Sequence, residues 1–172
     1  MKTLIIFGTV EGQTAKIARF AKEVLERLGH QAELIDADDP AEISFEGVDA
    51  AILAASVHQR RHPRKFEALL TAQAADLANI KTLLLSVSLN AAFPEGMEEA
   101  REYLTEMEMR TEFRPTDDML VGGALRTAHY DYFAMQVIQH VVMRGRPFDA
   151  SETEHEFTDW DALTKKLESF VD

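Results

Sequence analysis

The chain has no cysteine. Disulfides, thiolate nucleophiles and redox thiols are therefore excluded, and any electron chemistry must be carried by a bound group. No apolar run approaches the roughly 20 residues that cross a bilayer. The apolar start meets Gly8 too early for a signal peptide, so a cytoplasmic protein is expected. Positive charge is scarce: 18 Lys and Arg stand against 30 Asp and Glu, a formal net charge of −12. That balance excludes nucleic acid, whose phosphates demand a basic face, and is unhelpful for an anionic membrane surface. No metal site is expected. The 172 residues and 46% hydrophobic composition fit a single domain, 1–172, without repeat, low-complexity tract or linker.

The stretch from Leu4 to Ala18 organises the rest. An apolar run breaks at Gly8 and becomes a helix, an arrangement that aims backbone N–H groups at an anion. The loop between them holds no Lys or Arg. Gln13 stands where a Walker A loop needs its lysine, and Gly8-Thr9-Val10-Glu11-Gly12 does not make the dinucleotide fingerprint. What remains is a cradle of two hydroxyls, Thr9 and Thr14, and two small turn residues, Gly8 and Gly12. It suits one terminal phosphate, because Glu11 would repel a polyphosphate.

Further along, Thr3–Phe7 predicts a strand buried on both faces, and Gln13–Leu28 a helix with Ile17, Phe20, Val24 and Leu28 on one stripe, stopped by Gly29. Gln31–Ile35, Asp49–Ala55, Lys81–Ser88 and Met119–Val121 predict four more strands. Asp36, Asp38, Asp39 and Pro40 predict a polar turn. Pro63–Ala78 and the acidic Glu95–Met109 predict helices. Strand–helix alternation is the pattern of a doubly wound parallel sheet. Residues 122–157 predict an addition: a helix over Tyr130–Met143, a loop over Gly145–Ser151 and a brief strand at His155–Phe157. Thr158 is expected to cap a last helix with Trp160, Leu163, Leu167 and Phe170 as its stripe. The outer possibility for the added helix, whose run Phe133–Met143 is strongly apolar, is contact with a membrane or a hydrophobic substrate; the other is packing on the domain.

The first loop resembles the phosphate loop of flavodoxins, T-x-x-G-x-T, with Thr9, Gly12 and Thr14 in the matching places and Ala18 in the following helix. Ala21 stands where that pattern prefers an aliphatic. The resemblance implies an α/β flavodoxin-like fold, a doubly wound five-stranded parallel sheet in the order 2-1-3-4-5, here with an extra helix inserted between strand five and the last helix. It implies FMN, held by three loops at the carboxyl ends of the strands. The first supplies Thr9, Val10, Glu11, Gly12, Gln13 and Thr14; the second Ser56, Val57, His58 and Gln59; the third Ser88, Leu89 and Asn90. Neither later loop has an aromatic pair to sandwich the ring, although His58 or Phe93 could stack.

The second loop continues into Arg60, Arg61 and His62, then Arg64 and Lys65, a basic cluster in an acidic chain. Cations near a helix N-terminus oppose its dipole. Two uses stay open: attracting an anionic substrate or stabilising reduced flavin, or reaching into solvent or pairing with the acidic helix. That helix in turn reads as a solvated face or as a docking surface for a basic redox partner.

Across nearly its full length the chain resembles the flavodoxin-like, menaquinone-dependent protoporphyrinogen oxidases of bacteria. The resemblance rests on Met1–Ile5 through Thr14, Ala54–Val57, Ser86–Leu89, and most specifically Gly122-Gly123-Ala124-Leu125-Arg126 followed by Tyr130, Asp131 and Tyr132, with Thr158-Asp159-Trp160 near the end. It implies an oxidoreductase of haem synthesis that passes electrons from protoporphyrinogen, or another anionic small molecule, through FMN to a quinone or redox protein, with peripheral contact at the inner membrane. Arg126 would hold a propionate bidentately or serve as a surface ion-pair partner, with His129 and Tyr130 as further substrate candidates. Members that work at the membrane carry more Arg and Lys where this chain has Thr127-Ala128-His129 and Ala91–Glu95. The alternative is a flavodoxin-type electron carrier without small-molecule turnover. No catalytic acid or base is nominated.

Overall fold

The computed structural model describes every residue except Pro40 and His129. Five parallel strands form one sheet in the order β2-β1-β3-β4-β5: β1 (Lys2–Gly8), β2 (Gln31–Asp36), β3 (Ala50–Ser56), β4 (Lys81–Ser88) and β5 (Asp117–Gly122). The register aligns their carboxyl ends: Gly8 pairs with Ala55, Ser56 with Val87 and Ser88 with Gly122. Three loops consequently leave the sheet side by side. This is the expected order, and the switch point between β1 and β3 falls where a ligand of such a sheet binds.

Both faces of the sheet are covered, which is why β1, β3 and β4 are apolar on both sides. On one face Ile5, Ile52, Leu83 and Leu85 pack under α1 (Gln13–Arg27) and α6 (Trp160–Val171), with Ile17, Val24, Leu163 and Phe170 filling the layer. On the other, Leu4, Ile6, Leu53 and Leu84 pack under α2 (Arg64–Ala72), the short α3 (Ala74–Leu77) and α4 (Met97–Thr111), with Phe66, Leu70, Leu104 and Met107. The α1 stripe lies slightly rotated from its expected position. Ala18, Ala21 and Leu25 are buried while Leu28 is 41% exposed. The small Ala21 lets the helix lie close to the sheet, and Gly29, at φ 86°, ends it.

The expected helix over Pro63–Ala78 is two helices, broken at Gln73. The acidic helix begins two residues later than expected, after a tight turn at Pro94–Gly96. The polar turn after β2 runs through Asp36–Asp39; its Pro40 lies outside the described residues. The addition after β5 contains a small antiparallel pair, β6 (Ala124–Arg126) and β7 (Glu154–Glu156). Between them α5 (Tyr132–Val137) runs directly into a π-helical turn, Ile138–Val142. Thr158 does not cap α6; Asp159 does, accepting from the Ala162 N–H. The Thr158 hydroxyl is turned inward instead and donates to the Gly122 carbonyl at 2.6 Å. Gly122 is needed here, because a Cβ on it would stand 2.7 Å from the Phe157 carbonyl oxygen.

One buried carboxylate ties the second layer together. Glu67 on α2 accepts from Arg61 through Nε and Nη2 (3.2 and 3.0 Å) and from Arg110, near the end of α4, through Nε and Nη2 (3.0 and 2.6 Å). Its side chain is 6% exposed, so removing the charge strands two guanidinium groups. Glu67→Gln is expected to destabilise the fold by about 3 kcal/mol, whereas Glu102→Gln, at an exposed pair, should change it by less than about 1 kcal/mol. Urea unfolding of both variants checks the contrast.

Candidate functional site

The three loops at the sheet edge open into one cavity of about 730 Å³. Its wall includes Thr9, Val10, Glu11, Gln13 and Thr14 from the first loop, Ser56, Val57, His58 and Gln59 from the second, and Ser88, Leu89 and Asn90 from the third. The structure thus brings together on one cavity wall every residue of the expected FMN-binding set except Gly12, which shapes the first loop from behind. Gly12 has φ 95° and would place a Cβ 3.4 Å from Arg126 Nη1. Its N–H donates to Thr9 Oγ1 at 2.9 Å, and its carbonyl accepts from the Lys16 N–H at the start of α1.

Two hydroxyls on this wall, Thr14 Oγ1 and Ser56 Oγ, are buried with no hydrogen-bond partner among the described residues. Buried polar atoms are nearly always satisfied, so orphans facing a cavity mark where ligand atoms belong. Thr14 sits in the first turn of α1, at the positive end of the helix dipole. A group with a terminal phosphate and a flat heterocycle would satisfy both. The residues therefore fit a flavin. Phe93 does not offer a free face to stack on it: it lies against Phe157 and under the Arg146 guanidinium, 4.2 Å from its ring centre.

The arginines of the second loop are held by acids. Arg60 pairs with Glu99, with Glu102 at 3.8 Å and Glu106 at 3.7 Å, and stacks on Tyr103. Arg61 grips Glu67. Of the two uses left open for this cluster, the geometry shows pairing with acidic residues. These pairs hold a tight turn, His58 to Arg61, in which Gln59 and Arg60 have φ of 50° and 65°. Left-handed backbone at two consecutive residues with side chains is costly, at about 1–2 kcal/mol each. The two backbone bonds between His58 and Arg61, the grip of Arg61 on buried Glu67 and the stacking of Arg60 on Tyr103 together oppose that cost.

Arg126 reaches the first loop from β6. Its Nη1 donates to the Glu11 carbonyl at 2.8 Å and its Nη2 to Gln13 Oε1 at 2.7 Å, while Nε lies 3.4 Å from Glu154. Gln13 in turn donates to Glu156 and Thr158. Tyr130 donates its hydroxyl to the Glu11 carboxylate. Burial first, and that bond second, raise the Tyr130 pKa, so the hydroxyl stays protonated. Glu11 and Tyr130 both line the cavity, so this bond lies on its wall. His129 lies outside the described residues.

The inserted helix forms the roof. Val137, Ile138, Val141 and Val142 line the cavity, and the outer Tyr132 and Phe133 are 80% and 77% exposed. Arg146, on the same wall, donates to Glu95, the Val142 carbonyl and Asn90 Oδ1. Sequence reasoning missed it. It lies in a stretch read as loop, and the signal available was only its charge, beside Arg144, in an acidic chain.

Beneath the second loop, His62 is 1% exposed, shares a 2.9 Å hydrogen bond with Ser86 Oγ and leaves Nδ1 without a partner among the described residues. Burial dominates and lowers its pKa from 6.5 to about 4, with Glu67 opposing and Arg110 assisting. The folded state holds the neutral ring, so between pH 6.5 and about 4 the unfolded chain binds more protons and stability falls as pH falls. The loss should reach on the order of 3 kcal/mol at the lower end, and His62→Gln should flatten it. Urea unfolding at steps from pH 7 to pH 4 reads the difference.

Known proteins place this geometry. The protoporphyrinogen IX dehydrogenase (quinone) of Escherichia coli (strain K12) is 28% identical over 164 residues, covering 95% of this chain and 91% of that protein. Among solved structures, oxidised Flavodoxin 1 from Bacillus cereus superposes with a TM-score of 0.58 at 19% identity, covering 99% of this chain and 97% of that one. A short-chain flavodoxin associated with a PDU bacterial microcompartment gives 0.60 at 11% identity, with the same coverage. At such identities the structures establish the fold. A family profile described as a flavodoxin domain matches residues 4–151, and the chain belongs to that family.

Proposed function

We propose that this chain is an FMN-dependent oxidoreductase that takes hydrogen from protoporphyrinogen, or a porphyrinogen like it, and passes the electrons to a quinone. The observation that carries the reading is the cavity itself. One wall is a phosphate cradle with the orphaned Thr14 hydroxyl, and another is an apolar roof from the inserted segment. The Escherichia coli relative, a protoporphyrinogen IX dehydrogenase (quinone), supports the substrate and the acceptor.

Bound FMN would supply a ring that accepts hydride and releases electrons. The chain's own residues bind and shield. Thr9, Thr14 and the amides at the start of α1 would hold the phosphate. Ser56, with residues 57–59 and 88–90, would meet the polar edge of the ring. Val137, Ile138 and Val142 exclude water above it. Arg126 acts through the loop, fixing the Glu11 carbonyl and the Gln13 side-chain amide in place. The outward Tyr132 and Phe133 give the roof an apolar exterior suited to a lipid-dissolved quinone at a membrane surface. A second reading, a carrier of single electrons between proteins, draws on the flavodoxins among the structural neighbours.

Anaerobic mixing of the FMN-loaded protein with protoporphyrinogen should bleach the flavin absorbance while porphyrin fluorescence grows, and menaquinone should restore turnover. No bleaching, with ready reduction by a flavodoxin reductase, would move the protein to the carrier class. Arg126→Ala should weaken FMN binding by about tenfold, the equivalent of one charge-assisted contact network. Riboflavin, which lacks the phosphate, should bind both proteins alike in fluorescence titration. An equal loss for both flavins would show that Arg126 supports the fold rather than the phosphate loop.

A further inference from the structure

We propose that the part of the cavity between the inserted helix and the third loop is a subsite for an amphipathic carboxylate, with Arg146 as its anchor. The inference rests on the porphyrinogen reading and names the residue that would recognise the acid groups of such a substrate.

Arg146 is a nearly buried cation, its side chain 12% exposed, on the cavity wall. Three of its N–H groups have partners: Nε meets Glu95 at 3.1 Å, Nη1 the Val142 carbonyl at 3.3 Å and Nη2 Asn90 Oδ1 at 3.3 Å. A guanidinium has five, so two have no partner among the described residues. Its charged partner, Glu95, is 61% exposed. Taking a cation out of water is expensive unless a well-held anion offsets it, and a solvent-screened carboxylate offsets little. A nearly buried guanidinium with spare donors and a loosely held partner is therefore poised to accept an incoming carboxylate.

The surroundings fix the class of ligand. Arg60, another cation on the wall, is surrounded by Glu99, Glu102 and Glu106. A second carboxylate arriving there would meet three like charges. Arg146 bonds the Val142 carbonyl and stacks on Phe93, and the cavity wall also carries the apolar Leu89, Val137, Ile138, Val141 and Val142. The π-helical turn aids this, because its i to i+5 bond, from Met143 N–H to the Ile138 carbonyl at 2.7 Å, gathers residues four and five apart onto one side. The third loop leaves the sheet two strands from the phosphate loop, roughly 10 Å away. An apolar body carrying an acid group can thus occupy this end while the phosphate cradle holds the cofactor.

The test uses FMN-loaded protein and two unreactive probes, protoporphyrin IX and its dimethyl ester, followed by the shift of the porphyrin absorbance band. The wild type should bind the diacid about tenfold more tightly than the ester. Arg146→Met should remove that preference by weakening the diacid alone, and Arg146→Lys should restore part of it. Glu95→Gln, an exposed change that removes the competing carboxylate, should tighten the diacid about threefold. Equal wild-type affinity for acid and ester overturns the proposal. So does an equal loss of both in Arg146→Met, which would make the residue a fastening for the roof. If neither porphyrin binds while FMN stays tightly held, the porphyrinogen reading fails and this subsite with it. If FMN itself is not held, the earlier flavin reading is the one that fails.

Discussion

The site depends on one guanidinium crossing between two parts of the chain that lie far apart in sequence. Arg126 on β6 holds the Glu11 carbonyl and the Gln13 side chain of the first loop. Gln13 passes the connection on to Glu156 and Thr158, and Thr158 to the Gly122 carbonyl. Both arms of the inserted segment are thereby fastened to the phosphate loop. Arg146, bonded to Glu95 and Asn90, fastens the far end of the addition to the third loop. With both fastenings, the helix from Tyr132 to Val142 is held over the cavity. A loop that carries no cation of its own also acquires a positive charge behind it, which suits an anion in front.

Charge elsewhere is used internally. The chain is strongly acidic, yet Arg60, Arg61 and Arg110 lie against Glu99, Glu102, Glu106 and Glu67. These pairs span the second loop, α2 and α4, and they hold the loop in a turn that Gln59 and Arg60 would not adopt unaided. Buried His62 under the same loop contributes a neutral ring that fits only while it stays unprotonated. Rigidity of the second loop is thus assembled from three layers of contact below and beside it, which is what a loop that must present its backbone to a ligand requires.

How far the sequence revealed this varies with the range of the interaction. Local chemistry was legible. The apolar strands, the break at Gly8, the hydroxyls Thr9 and Thr14 and the stop at Gly29 each act over a few residues, and the strand order followed from the resemblance. Helix details were less so: Gln73 interrupts what the periodicity reads as one helix, and Thr158 has the chemistry of a cap but is drawn inward by Gln13 and Gly122. Pairings across the fold were not legible at all. Nothing near Arg126 in sequence points to Glu11, and nothing near Arg60 decides between a ligand and Glu99. Arg146 escaped notice because its significance is its burial against Phe93, and burial of a loop arginine has no periodic signature.

The roof is the feature that separates the two functional readings in physical terms. Transfer of single electrons between proteins needs an exposed ring edge and a complementary surface, and tolerates water nearby. Transfer of hydride needs substrate and ring in contact with water kept out. The inserted helix adds Val137, Ile138, Val141 and Val142 to the cavity wall while leaving Tyr132 and Phe133 in solvent. Exposed aromatics are a poor solution for a soluble carrier and a reasonable one for a protein that meets an apolar acceptor. The carboxylates of α4 point the same way. Glu99, Glu102 and Glu106, which a carrier would offer to a basic partner, are turned toward Arg60. The shape of the cavity, with three carboxylates of α4 engaged by Arg60, therefore weighs toward turnover of a small molecule within it.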